Sequence, residues 1–129
     1  MKQTTKDWLT NAEDDLLAAQ KLAGEKRLTN VVSFHCQQCL EKCFKAVIEE
    51  SSQRSIKSHD LLRLQLISDV QLSESEKKLI AIINEVYIDA RYPGDLGLMP
   101  QGKPTIGEIE SFINFCEALF SRVTVQLSQ

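Results

Sequence analysis

Gln38, Glu41 and Lys45 recur at three- and four-residue spacing, which on a helix sets an amide, a carboxylate and an ammonium on one strip. Such a strip can grip a polar ligand. It can equally be a hydrogen-bonded seam whose Glu41–Lys45 pair at (i, i+4) contributes roughly a few tenths of a kcal/mol. Further on, Arg54 precedes His59 by five residues. An imidazole that titrates near neutrality can move protons, and a guanidinium can stabilise a pentavalent phosphate. The alternative is a His59 that packs and hydrogen-bonds locally at the first turn of the next helix. Residues 42–63 carry Lys42, Lys45, Arg54, Lys57 and Arg63 against Glu49, Glu50 and Asp60, so this stretch is locally basic. A third group closes a helix: in Arg91-Tyr92-Pro93-Gly94-Asp95, Pro93 stops the helix and Arg91 complements its dipole. Arg91, Tyr92 and Asp95 can also line a cleft and hold a phosphate or a base.

Cys36-Gln37-Gln38-Cys39 has CxxC spacing, with Cys43 one turn on. A zinc site normally takes four ligands, commonly offered by turns and hairpins. A redox CxxC is expected at a helix N-terminus, where the dipole lowers the thiol pKa. Three thiols in mid-helix among apolar neighbours read instead as small core residues, and no metal site is expected.

The elements that must position these residues are helices. All three prolines and three of the five glycines fall between residues 93 and 104, while the 92 residues before them contain only Gly24. Proline-free sequence with apolar residues three and four apart predicts consecutive helices, and no segment alternates as a strand does. The first spans about Thr5 to Ala23, with a stripe of Trp8, Ala12, Leu16, Ala19 and Ala23, and ends at Gly24 in a positive-φ cap. The second runs from Thr29 to Ser51. Val32, Cys36, Cys39, Leu40, Cys43 and Val47 form one face, while Phe34, Phe44 and Ile48 lie away from it and suggest a surface for a partner subunit or ligand. A short third helix follows Ser58 and carries Leu61, Leu62, Leu64 and Ile67. The fourth opens at a capping box, Ser73 with Glu76, and faces the core with Leu79, Ile83, Val86 and Ala90. The last opens at a second box, Thr105 with Glu108, and buries Ile109, Phe112, Cys116, Leu119 and Val123. Four long helices and one short one with brief connections predict an all-α, antiparallel up-and-down bundle, a single domain over residues 1–129. The connection from Arg91 to Pro104 is long enough to suggest a functional loop.

Composition narrows the function. A chain of 129 residues with 43% hydrophobic and 26% charged residues has the ordinary globular mixture and enough length for one core. A net charge of −3 argues against a general binder of nucleic-acid backbones. The longest apolar run, Leu79–Ile83, is far short of a membrane span, and the polar N-terminal stretch does not read as a signal peptide. A cytoplasmic protein with reduced thiols is expected.

The stretch Ser33-Phe34-His35-Cys36-Gln37-Gln38-Cys39-Leu40-Glu41-Lys42-Cys43-Phe44-Lys45-Ala46 resembles the second helix of HEPN domains, F-x-A-Q-Q-A-x-E-K-x-x-K-A. Cys36 and Cys39 stand where that pattern prefers alanine, in keeping with packing. Lys57 to Leu64 resembles the H-D-L-x-x-L segment of the family, and Arg91-Tyr92-Pro93 its R-Y-P segment, with Tyr87 ahead of it. Trp8, Ala12, Asp15, Leu16 and Ala19 also fit the family pattern.

The resemblance implies an up-and-down bundle that commonly dimerises and a connection to nucleotides or nucleic acid. HEPN domains are similar to the C-terminal helical domain of aminoglycoside nucleotidyltransferases. Many small ones pair with a separate minimal nucleotidyltransferase, often as a toxin–antitoxin couple. The leading expectation is a non-catalytic HEPN homodimer that binds a nucleotide such as ATP or GTP, a nucleotidyltransferase partner, or both. Its candidate ligand-binding residues are Gln38, Glu41, Lys45, His59, Arg91, Tyr92 and Asp95. Other members are metal-independent ribonucleases with arginine four to six residues before histidine, near the start of a late helix. Arg54 and His59 have the spacing but lie in the connection after the second helix, and no histidine follows Arg91. A ribonuclease with His59 as acid–base and Arg54 stabilising charge is therefore the alternative, and a ligand-free dimerisation module is a third. RNA is less expected as a partner than a nucleotide.

Overall fold

The computed structural model describes residues 1–52, 56–91 and 103–129, and the side chains of α4 as far as residue 86. Among the described residues five α-helices follow one another: α1 (Gln3–Leu22), α2 (Thr29–Ser51), α3 (Leu61–Ser68), α4 (Glu74–Arg91) and α5 (Ile106–Leu127), with a 3₁₀ turn, Lys26–Leu28, leading into α2. No strand occurs among the described residues. The bundle is arranged around α2, which packs against all four other helices and most extensively against α1.

That central position explains the composition of α2. Val32, Cys36, Cys39, Leu40, Cys43, Phe44, Val47 and Ile48 are all buried, over a broad arc of the helix, while Phe34, Gln38 and Lys42 mark the side that is exposed or half-buried. A helix packed against four others buries a wider apolar stripe than a surface helix does. Phe44 and Ile48, expected on an outer surface, are thus covered within the chain, while Phe34 stays exposed. Burying a side chain such as Leu40 or Phe44 stabilises the fold by about 1.5–3 kcal/mol.

On α1 the buried positions are Thr5, Leu9, Ala12, Asp15, Leu16 and Ala19. Ala12 and Ala19 have no exposed surface, and their size lets α1 lie close on α2. The two helices are antiparallel. Lys2 reaches the far end of α2, where its Nζ donates to the Glu49 and Ser52 carbonyls at 2.9 and 3.1 Å. A cation there satisfies free carbonyls and complements the helix dipole. Trp8 and Ala23 are only partly buried. α1 ends at Ala23 in a right-handed conformation, so Gly24 does not supply the positive-φ cap expected of it. The left-handed residue is instead Asp69, φ 59°, closing α3; aspartate tolerates this region better than most side chains.

Both capping boxes form. Ser73 accepts from the Glu76 N–H and Glu76 from the Ser73 N–H, and Thr105 and Glu108 do the same at α5. Arg122 of α5 donates to Glu76 Oε2 at 2.9 Å and to the Gln71 carbonyl, tying α5 to the start of α4. The Arg122 guanidinium, with the Ser73 N–H, holds the Glu76 carboxyl below its ordinary range. The α5 core face is the expected one, extended by Ile113 and Phe115. On α4 the fully enclosed residues are Ile80 and Ile83, with Leu79 only packed against the core edge. Within α3, Leu61 and Leu64 are buried, while Leu62 and Ile67 are exposed.

Candidate functional site

Four of the sequence candidates meet at one place, organised by Glu41. Its side chain is only 4% exposed, on the α2 face toward the connection that precedes α3. Lys45, one turn on, donates to Glu41 Oε2 at 2.9 Å. His59 enters from the connection, with Nδ1 3.1 Å from both carboxylate oxygens. Gln37, with no exposed surface, donates to Glu41 Oε1 and to the backbone carbonyl of His59, each at 3.1 Å. Gln38 donates to Gln37 Oε1 at 2.7 Å. Lys45 also lies over the Trp8 ring, 5.4 Å from its centroid, a cation–π contact between α1 and α2.

This arrangement divides the candidates by role. Both Glu41 oxygens are taken by protein donors, so Glu41 and the buried Lys45 position the site. A carboxylate only accepts hydrogen bonds, so Nδ1 of His59 carries the proton it donates. Nε2 is the ring nitrogen that the Glu41 network leaves unused. The His59 side chain is 55% exposed and is the group this network offers to solvent. Gln38 is half-buried beside it.

Gln37 is the member that the sequence strip Gln38–Glu41–Lys45 passed over. Its signal was its (i, i+4) spacing to Glu41, which puts an amide within reach of the carboxylate. Of the other candidates, Arg54, Tyr92 and Asp95 lie outside the described residues. The Arg91 backbone ends α4, and its side chain is likewise outside the description.

A second polar cluster lies on the α1–α2 seam. Asp15, its side chain 11% exposed, meets His35 Nδ1 at 2.9 Å and Lys42 Nζ at 2.6 Å. His35 also makes an edge contact with Phe34. No signal within one segment points to it, because Asp15 and Lys42 are 27 residues apart. Among the described residues no group of three or more His, Cys, Asp or Glu side chains is arranged to hold a metal ion. No described helix is long and apolar enough to cross a membrane.

Four helices around a central fifth, with a polar network opening at its side, define an all-α bundle domain. The chain belongs to the HEPN domain family, which it matches over residues 5–126. Two solved structures share the fold over nearly their full lengths. TT1696 from Thermus thermophilus is 20% identical with a TM-score of 0.74, over 95% of this chain and 98% of that one. ST0689, described as an archaeal HEPN homologue, is 21% identical with a TM-score of 0.68, over 98% of both chains. No curated protein matches the chain.

Proposed function

We propose that this HEPN protein is a non-catalytic, nucleotide-binding homodimer that works with a minimal nucleotidyltransferase, as one half of a toxin–antitoxin-like pair. The observation that supports the binding role is the Glu41 network. It holds His59 rigidly from behind through Nδ1 and through its own backbone carbonyl, leaving the imidazole edge and the Gln38 amide to meet a ligand. Preorganised polar groups of this kind bind with little ordering cost. Because Glu41 and Lys45 neutralise each other, the network suits the base or ribose of a nucleotide better than its phosphates. Arg91, with Tyr92 and Asp95, is the proposed phosphate-side group.

Titration calorimetry with ATP and GTP tests the ligand. His59→Ala is expected to weaken binding by about tenfold or more, a loss of about 1.4 kcal/mol, while stability changes by at most about 1 kcal/mol. Equal binding by wild type and variant removes His59 from the site, and no heat with either nucleotide leaves the ligand-free dimer module. Co-expression with a minimal nucleotidyltransferase tests the partner, and stoichiometric co-purification is the expected result.

One feature favours a second reading, the ribonuclease. A carboxylate against Nδ1 with Nε2 free is also how an acid–base histidine is held. That reading expects RNA cleavage by the wild type, lost in both Arg54→Ala and His59→Ala. Absence of cleavage by the wild type ends it.

A further inference from the structure

Among the described residues most helices show a single exposed large apolar side chain: Leu17 on α1, Phe34 on α2, Ile82 on α4 and Val125 on α5. Such isolated residues are ordinary at a protein surface. The eight-residue α3 is different, because it shows Leu62, Leu66 and Ile67, with Leu66 73% exposed. Leu62 and Leu66 are one turn apart and share a face. The charges at the ends of α3 stand against its own dipole. Arg63 lies in the first turn, where a helix favours an anion, and Asp69 is the C-cap, where it favours a cation. Both are exposed, and neither has an ion-pair partner among the described residues; Asp69 Oδ1 accepts only from the Gln71 amide, at 3.2 Å.

We infer that α3 is the contact between two copies of this chain, packed antiparallel about Leu66. The inference rests on the homodimer reading above and names its surface. Arg63 and Asp69 stand three residues to either side of Leu66. Antiparallel pairing about that residue sets Leu66 against Leu66 of the second copy and brings Arg63 of each copy level with Asp69 of the other. Each cation then lies at the negative end of the other copy's α3, and each anion at the positive end. The symmetric pair relieves what one copy alone leaves unfavourable. Parallel pairing would instead set Arg63 beside Arg63 and Asp69 beside Asp69. A helix of eight residues is about 12 Å long. Even with Ile82 on the helix packed beside it, the contact is at the small end of specific interfaces, and the dimer is a reversible one. Because α3 begins two residues after His59, the two Glu41 networks lie at opposite ends of the seam.

Sedimentation velocity of the full chain over a concentration series tests this surface. Expected is a wild-type dimer that dissociates on dilution and is weakened by salt. Leu66→Asp, at an exposed position, weakens association by about tenfold or more while the helical circular dichroism is retained. Arg63→Glu and Asp69→Lys each weaken it, and the double variant Arg63→Glu/Asp69→Lys recovers it, because opposite charges face each other again. Phe34→Ser leaves the dimer intact. A monomer at every concentration overturns this surface and the homodimer reading together. A dimer that survives Leu66→Asp, or that Phe34→Ser breaks instead, overturns the surface and leaves that reading standing. So does a Leu66→Asp variant that still dimerises but no longer co-purifies with a co-expressed nucleotidyltransferase, which makes that partner the occupant of α3. Failure of the double variant to recover overturns the antiparallel pairing.

Discussion

The chain builds the same trio of side chains twice, a carboxylate holding one lysine and one histidine, and the two copies differ in where their parts come from. Around Glu41 the lysine is on the same helix and the histidine arrives from a connection. Around Asp15 the carboxylate is on α1, and both bases, His35 and Lys42, are on α2. The Asp15 trio is therefore a clasp between two helices. The Glu41 trio clasps nothing so large: its lysine is almost enclosed, with a side chain 8% exposed, and its histidine is 55% exposed. Internal neutralisation with one group turned outward fits the binding role proposed for this trio. Cross-helix pairing with both bases partly covered is the pattern of a structural joint.

Removing each carboxylate tests that division. Glu41→Ala strands the Lys45 ammonium in the interior and should cost about 3–5 kcal/mol in urea denaturation. The double variant Glu41→Leu/Lys45→Met should recover most of that loss while still abolishing nucleotide binding. Asp15→Asn should cost less, about 1–3 kcal/mol, because Lys42 and His35 can turn toward water. It should leave binding intact. If Asp15→Asn is the more damaging to binding, the roles of the two trios are reversed. His59→Ala removes an exposed partner and should change stability by at most about 1 kcal/mol, so its main effect falls on ligand affinity.

The smallest effect is expected at a control site away from both trios. Glu76 is held below its ordinary carboxyl range first by Arg122, so its pairing stabilises the fold above the unfolded value of 4.5 and is lost as pH falls through the lower folded value. Arg122→Ala should therefore lower the melting temperature slightly at neutral pH, by less than about 1 kcal/mol in stability for so exposed a pair. The gap from wild type should close in strong acid. A gap that persists there would assign the effect to packing by the Arg122 stem.

Local features of this fold were legible in the sequence, and relations between distant segments were not. The capping boxes at Ser73 and Thr105 and the core stripe of α5 depend on residues within a few turns, and they form as read. The strip Gln38–Glu41–Lys45 was visible for the same reason, and His59 was flagged by its chemistry. What helix periodicity cannot report is how many neighbours a helix has. Phe44 and Ile48 group with Phe34 as an outer surface in the sequence pattern, whereas the other four helices cover both and leave only the side of α2 that carries Phe34, Gln38 and Lys42 open. The pairing of Asp15 with Lys42 and the approach of Cys116 to Cys36 depend on tertiary packing across long separations. Gly24 was assigned a cap on residue type alone, but α1 leaves through a right-handed Ala23 into a 3₁₀ turn that needs no positive φ.

The hydrogen bond from Gln37 to the carbonyl of His59 has a consequence for how this site can change. It anchors the main chain at position 59, whatever side chain stands there. The position behaves as a socket: its location is set by α2, and its chemistry by an interchangeable insert. Asparagine, lysine or tyrosine could replace the imidazole without relocating the connection, so under the proposed binding role single substitutions would re-specify what this surface recognises. For engineering, position 59 is where new ligand preferences would be selected first, and Gln37 is the residue to leave untouched.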